Sequence, residues 1–118
     1  MIETAIINTI DDLWIEKFPM NHSQAFPKGI VRRISMNPIK EKDRTERRYT
    51  TRIEIEWMDR NDTIGFDAKQ QAIETAMYDL GSTDSNVTHV EFIDRVDGWN
   101  PTYDVHNMVM QFLIKHEG

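Results

Sequence analysis

Two strand-like segments around a basic connector, between residues 29 and 58, limit what this chain can fold into more than any other feature. In the second segment one face is formed by Thr51, Ile53, Ile55 and Trp57, which alternate with mostly charged residues. Such a period of two is typical of an antiparallel strand with one buried face. Residues 29–36 show the same period, interrupted by Arg32, and predict the partner strand. Residues 37–48 then form an unusually long tip loop, a length that indicates function or disorder.

Charge is strongly segregated along the chain. Residues 28–52 contain nine of the fourteen Lys and Arg residues and three acids, which gives +6, whereas the rest of the chain carries −12. A basic arm on an acidic body favours contact with phosphate groups or with the acidic surface of another copy. Acids interleave with the basic residues of the connector, no aromatic residue is available there to stack on bases, and the whole chain is acidic. We therefore expect the connector to dock on an acidic neighbouring subunit, with a solvated loop and phosphate contact as alternatives.

The remaining elements follow from periodicity and from residues that end helices. A helical stripe predicts a first helix over residues 2–17, ended by Pro19, and a second over 68–80, with Asp67 as cap and Gly81 as stop. Strands are predicted over residues 87–93 and 103–114, separated by a turn region at 95–102. Both faces of the last strand are partly apolar, which indicates a central strand or one covered by a partner.

These elements predict a fold class. A chain of 118 residues forms one domain, residues 1–118. The order α-β-β-α-β-β predicts an α+β two-layer domain, with two helices on a mainly antiparallel four-stranded sheet and a long charged loop between the first two strands. No apolar run approaches the roughly 20 residues that span a membrane, so we expect no membrane partner. Zero cysteines exclude disulfides and thiolate chemistry.

Catalytic chemistry has little support in the sequence. Four histidines, at positions 22, 89, 106 and 116, invite a metal interpretation, and His89 and His106 fall on adjacent predicted strands. No metal-binding spacing, glycine-rich phosphate loop or nucleophile motif accompanies them. We predict no catalytic, cofactor-binding or metal-binding residue and no enzymatic activity, and we interpret the histidines as polar residues of a wet sheet face.

The candidate site is therefore an interface for another subunit or partner. Its residues are Lys40, Lys42, Arg44, Arg47 and Arg48 of the connector, together with Trp99. Trp99 lies in a predicted turn and is either packed over the core or offered to a partner. Of these two, burial within the monomer is the expectation, because large aromatic residues are costly to expose to water.

Nearly the whole chain resembles the tail-terminator, or tail-completion, proteins of long-tailed bacteriophages. The resemblance rests on the opening Met-Ile-Glu-Thr-Ala-Ile, on Ile-Val-Arg-Arg-Ile-Ser and Thr-Arg-Ile-Glu-Ile-Glu-Trp around the charged loop, on the helix over 68–80, and on the closing Met-Gln-Phe-Leu-Ile-Lys. It implies a ring, usually a hexamer, that caps the tail tube, stops its polymerisation and joins the tail to the head-side connector protein. It also implies assembly in the host cytoplasm, a place at the head-proximal end of the virion tail, and passage of DNA through the ring without sequence recognition.

Other functions remain open at this point. Subunits of the neighbouring head-tail connector are similar in size to the tail terminators. An acidic phage-encoded inhibitor that acts as a monomer and mimics the charge of DNA is compatible with the net charge of −6. A small metal-dependent enzyme built on His89 and His106 is a third class. The oligomeric state separates the first two, and bound metal tests the third.

Overall fold

A computed structural model describes residues 2–15, 26–39, 48–60 and 63–117. Two helices and five strands lie in these ranges. In chain order they are α1 (Ile2–Thr9), β1 (Leu13–Ile15), β2 (Lys28–Pro38), β3 (Arg48–Asp59), α2 (Phe66–Thr83), β4 (Val87–Asn100) and β5 (Val105–Glu117).

The strands form one mixed sheet in the order β1-β2-β3-β5-β4. β2 pairs antiparallel with β3, as predicted, and β5 is central, between β3 and β4. The predicted four-stranded sheet and its element order are wrong, because β1 adds a fifth strand parallel to β2. The chain therefore runs α-β-β-β-α-β-β.

The predicted first helix, residues 2–17, is twice as long as α1, which ends at Thr9. Asp12 adopts a left-handed conformation with a φ of 63°, which an aspartate tolerates and which a helix cannot continue through. The carbonyl of Asp12 accepts a hydrogen bond from the amide of Gly29 at 2.9 Å, which leads the next residues into the sheet. Leu13 and Trp14 thus belong to a strand, although their spacing also fits a helix, and the predicted helix residues 16 and 17 lie outside the described ranges.

The ends of α2 also differ from the prediction. The residue before the helix is Gly65, without a side-chain capping bond, and the helix continues to Thr83, through Gly81. A Cβ at position 81 would lie 3.3 Å from a methyl carbon of Val90, so this glycine allows close packing of α2 on β4. Asp67, the predicted cap, instead forms an ion pair with Arg95.

The predicted turn region at 95–102 is wrong, because β4 continues to Asn100. A bulge between Phe92 and Asp94 shifts the register. The alternation of apolar and polar residues is therefore interrupted there, although the strand itself continues. The true turn follows Asn100, whose side-chain oxygen accepts hydrogen bonds from the amides of Thr102 and Tyr103.

Both helices cover one face of the sheet. The main core joins Ile6 of α1 and Met77 of α2 to inward-facing residues such as Ile55 and Phe112, all fully buried. The opposite face has a second, smaller cluster at one end, formed by Ile30, Met58 and Val105 with Trp14, Phe26 and Tyr103 packed against it. The rest of that face carries no described helix. Neither described helix is long and apolar enough to cross a membrane.

Candidate subunit interface

Four of the predicted interface residues, Lys40, Lys42, Arg44 and Arg47, lie outside the residues that the structure describes. The two ends of their segment are described. The amide of Ile39 donates a hydrogen bond to the carbonyl of Arg48 at 2.9 Å, which closes the base of the connector. Arg48 is the first residue of β3 and pairs with Glu117 at the end of β5. Its Nε is buried and has no hydrogen-bond partner among the described residues.

Trp99 is 49% exposed, so the expected burial within the monomer is wrong. The indole packs edge-on against the ring of His106, with 4.8 Å between ring centroids. Its exposure follows from the position of α2. The first turn of this helix contacts β4 at Arg95, through Asp67, and Trp99 lies four residues farther along the strand. A large aromatic side chain at the end of a sheet, beyond its covering helix, is suited to a partner contact.

The structure separates Trp99 from the connector. Trp99 pairs with His106, which pairs with Asp59 at the end of β3, whereas the connector joins β3 at Arg48. The 11 steps along β3 between Arg48 and Asp59 correspond to about 36 Å of strand. The molecule is elongated, with a longest extent of 52 Å. Arg48 and Trp99, the two described residues of the predicted interface, therefore lie toward opposite ends of the sheet.

Part of the basic arm is neutralised within the subunit, beginning with Arg32. Its Nη1 donates to Glu56 at 2.9 Å and to Glu54 at 3.1 Å, on the sheet face opposite the helices. Burial alone would lower the pKa of Arg32, but hydrogen bonds and charge from Glu56 and Glu54 raise it. The cation is therefore held in an internal network and is a poor candidate for a partner.

Glu56 is the centre of this network and is only 5% exposed. Besides Arg32, the amides of Asn100 and Asn107 donate to its Oε2 at 2.7 Å and 2.9 Å. Burial by itself would raise the pKa of Glu56, but these two amides and Arg32 together lower it below its ordinary value. Sequence reasoning missed Glu56 because it alternates with the apolar residues of β3 in the same way as its solvated neighbours on that strand.

Two further cations of the arm are also engaged internally. The guanidinium of Arg33 binds both carboxylate oxygens of Glu3, at 2.5 Å and 2.9 Å, and so ties β2 to α1. Lys28 is 3% exposed, and its ammonium lies 4.8 Å from the ring centroid of Phe26. Burial, followed by the charge of Arg60, lowers the pKa of Lys28. Among the described cations of the arm, Arg48 and Arg52 form no ion pair with another described residue.

The opposite edge of the sheet is acidic. On β4, Arg95 binds Asp97 and Asp67, each at 2.7 Å. The hydrogen bond from Arg95, against a smaller effect of burial, lowers the pKa of Asp97. Glu91 and Asp94 are exposed and form no ion pair within the part of the chain that is described.

The strand order converts charge segregation along the sequence into segregation across the sheet. β2 carries three basic residues and no acid, whereas β4 carries three acids and one base. β2 lies one strand from one edge, and β4 forms the other edge. Residues 63–117, which include α2, β4 and β5, contain nine acids and three bases. The part of the subunit built from α2, β4 and β5 is thus acidic, whereas the cations of β2 are paired or buried within the subunit.

A cavity of about 150 Å³ lies at the connector end, between α1 and the ends of β4 and β5. It is lined by Ile2, Ala5, Arg33, Met36, Asp84, Asn86, Val87, His116 and Glu117. The ring of His116 is buried and both its nitrogens have partners, Thr51 Oγ1 at 2.6 Å and the carbonyl of Glu117 at 2.8 Å. This histidine therefore joins β3 to the end of β5.

The histidine pair considered for a metal does not meet. His89 pairs with Lys115, whereas His106 is nine residues away on β5 and pairs with Trp99. That separation corresponds to about 30 Å of strand, so one metal ion cannot bind both. Within the described ranges, no three His, Asp or Glu residues gather as a metal site would require.

The fold resembles that of a known virion protein. A chain in the solved structure "Virion of native gene transfer agent (GTA) particle" matches with a TM-score of 0.63 and 15% sequence identity, over 98% of this chain and 84% of that chain. Neither protein-family models nor curated protein sequences give a match. Since the two chains differ at most positions, the likeness concerns the fold. The chain thus shares its architecture, over almost its full length, with a component of a gene transfer agent virion.

Proposed function

We propose that this protein is a structural subunit of a phage-like virion, and that it forms a ring that caps the tail tube. The ring stops polymerisation of the tube and joins the tail to the head-side connector protein. The observation that supports this most is the shared fold with a chain of the gene transfer agent virion, which extends over 98% of this chain. The resemblance of the sequence to tail terminators supports a place in the tail.

The distribution of surface features supports a ring. Head-to-tail contacts require two different patches on each copy, and a rotation that closes. This subunit has an acidic edge at β4 and an exposed Trp99 near the end of that strand, and its sequence has a basic connector between β2 and β3. Six copies in such a ring leave a central passage for DNA. The subunits assemble in the host cytoplasm and remain at the head-proximal end of the tail.

Assembly is tested first on the purified protein. We expect native mass spectrometry and light scattering to show a closed oligomer, at high protein concentration or after addition of tail tubes. Reversal of three connector charges, Arg44→Glu, Arg47→Glu and Arg48→Glu, is expected to reduce assembly while the far-ultraviolet circular dichroism of the monomer stays unchanged. A protein that is monomeric under all these conditions would instead fit the acidic inhibitor.

The role in the tail is tested by electron microscopy of particles made without the protein. A ring that stops tube growth predicts overlong tails in its absence. Tails of normal length that fail to join heads would refute the terminator role and assign the subunit to the head-tail connector. The same comparison with the triple connector variant shows whether these charges act in joining.

A further inference from the structure

The sheet ends at β4, whose second side has no described partner strand. An unpaired strand edge offers a row of amide and carbonyl groups to another chain, and soluble proteins usually protect it by bulges, by charges or by a covering element. β4 has 14 residues, which is long for an edge. Bulges interrupt it after Val87 and after Phe92, so its first half has such protection.

The second half of β4 lacks that protection. Residues 94–100 pair with β5 in unbroken register. Val96 is 63% exposed on the face opposite the helices, and Trp99 is 49% exposed on the helix side. A regular edge strand with apolar side chains on both faces is a site of association. Glu91 and Asp94 give the same edge two exposed carboxylates without ion-pair partners in the described ranges.

We propose that this acidic edge, residues 91–100 of β4, receives the basic segment 40–48 of a second copy. The inference rests on the proposed ring and names the two surfaces that meet in it. Charge complementarity carries it: the segment contains Lys40, Lys42, Arg44, Arg47 and Arg48 against three acids, and the edge presents Glu91 and Asp94. The contact is head-to-tail, because the acidic edge lies on β4 whereas the basic segment connects β2 to β3, so each copy contributes two different surfaces.

Pairing of β4 with β4 of another copy is the competing arrangement. It would bring the carboxylates of two copies together, and like charges facing each other across strands are destabilising. It would also use one patch twice and close as a dimer, which leaves the basic segment without a partner. The segregated charges therefore favour the contact between unlike edges.

The test uses two variants that each spoil one side of the contact. The acid-reversed variant carries Glu91→Lys and Asp94→Lys, and the base-reversed variant carries Arg44→Glu and Arg47→Glu. In a sample of either variant alone, the reversed surface of one copy meets a surface of the same charge on the next copy. We therefore expect the association constant of each variant to fall on the order of 10- to 100-fold at low salt. The loss should shrink at high salt, because exposed charges are screened.

The decisive sample is an equimolar mixture of the two variants. A reversed edge then meets a reversed segment, and the unreversed surfaces also match, so alternating copies should restore the oligomer. Native mass spectrometry with one variant isotopically labelled identifies such alternation. Glu74→Lys with Asp79→Lys on α2 is the matched control for the acid-reversed variant, because it changes the net charge equally away from β4. Circular dichroism confirms that every variant is folded.

The outcomes separate the inference from the proposed ring. Loss of assembly in each variant, retention in the α2 control and recovery in the mixture support the contact. An oligomer that resists both reversals as well as the control does, or a mixture that fails to recover it, would overturn the contact while the ring stands. A wild-type protein that never assembles would overturn the ring, and this inference with it.

Discussion

Glu56 offers the sharpest test of how the sheet face opposite the helices is stabilised. Its carboxylate accepts hydrogen bonds from Arg32, Asn100 and Asn107, and it is 5% exposed. Through Asn100 it fixes the turn between β4 and β5 against β3. Glu56→Gln keeps the size of the side chain but removes its charge and one acceptor. The new amide nitrogen must then face either Arg32 or the asparagines, donor against donor.

The expected cost can be estimated from these contacts. A hydrogen bond to a charged group contributes about 1.5–3 kcal/mol, and a donor left buried without a partner costs a similar amount. The side chain of Arg32 is 34% exposed, so water screens part of its loss. Asn107 recovers one bond by turning its amide, because its Oδ1 is buried without a partner among the described residues. We therefore expect Glu56→Gln to lower the free energy of unfolding by about 2 kcal/mol at pH 7.

The effect should depend on pH in a defined direction. The pKa of Glu56 in the folded protein is below its ordinary value. The unfolded chain therefore binds the proton more readily, and stability rises with pH between the two pKa values. The contribution is complete above the unfolded pKa of about 4.3 and is lost as the pH falls through the folded pKa. The gap between wild type and Glu56→Gln should thus narrow below about pH 4.5.

Urea unfolding at pH 7, 5 and 4 measures this gap. Glu91→Gln is the matched control, because Glu91 is exposed on β4 and makes no ion pair with described residues; its change should stay within about 0.5 kcal/mol. A Glu56→Gln variant as stable as this control at pH 7 would refute the network as a source of stability. A gap that widens on acidification would refute the lowered pKa.

Three further changes probe the packing that supports the interface, each measured by urea unfolding. Gly29→Ala should lower the free energy of unfolding by at least about 1–3 kcal/mol, since the new Cβ would lie 2.7 Å from a main-chain oxygen of β3. Gly65→Ala is the control, because nothing lies within 4 Å of its new Cβ, and it should change stability by less than about 1 kcal/mol. Equal effects of the two changes would contradict the close approach at Gly29. Phe112→Ala removes a fully buried ring of the central strand and should cost about 3–5 kcal/mol, so a cost below 1 kcal/mol would contradict its place in the core. Thr51→Val leaves the buried Nε2 of His116 without its partner at 2.6 Å and should cost about 1–3 kcal/mol, whereas an unchanged stability would argue against that bond.

The surface features on which the proposed interface depends were predictable from the sequence only in outline. The segregation of charge and the presence of an over-long connector follow from residue types alone. The internal pairing of Arg32 and Arg33 does not, because Glu54 and Glu56 are 22 and 24 residues from Arg32, and Glu3 is 30 from Arg33. Sequence charge therefore overstated the free basic surface. The exposure of Trp99 likewise depends on where α2 begins on the sheet.

The strand pair β2 and β3, the central β5 and the existence of α2 were determined by periodicity, because alternation and helical stripes reflect one buried face. Tertiary structure decided the rest. The stripe after Thr9 fits a helix or a strand, and only the left-handed Asp12 and pairing with β2 select the strand. The bulge after Phe92 hides the continuation of β4. Strand order is set by long-range pairing, which leaves no local signature, and that order places the acidic β4 at the edge of the sheet, away from β2.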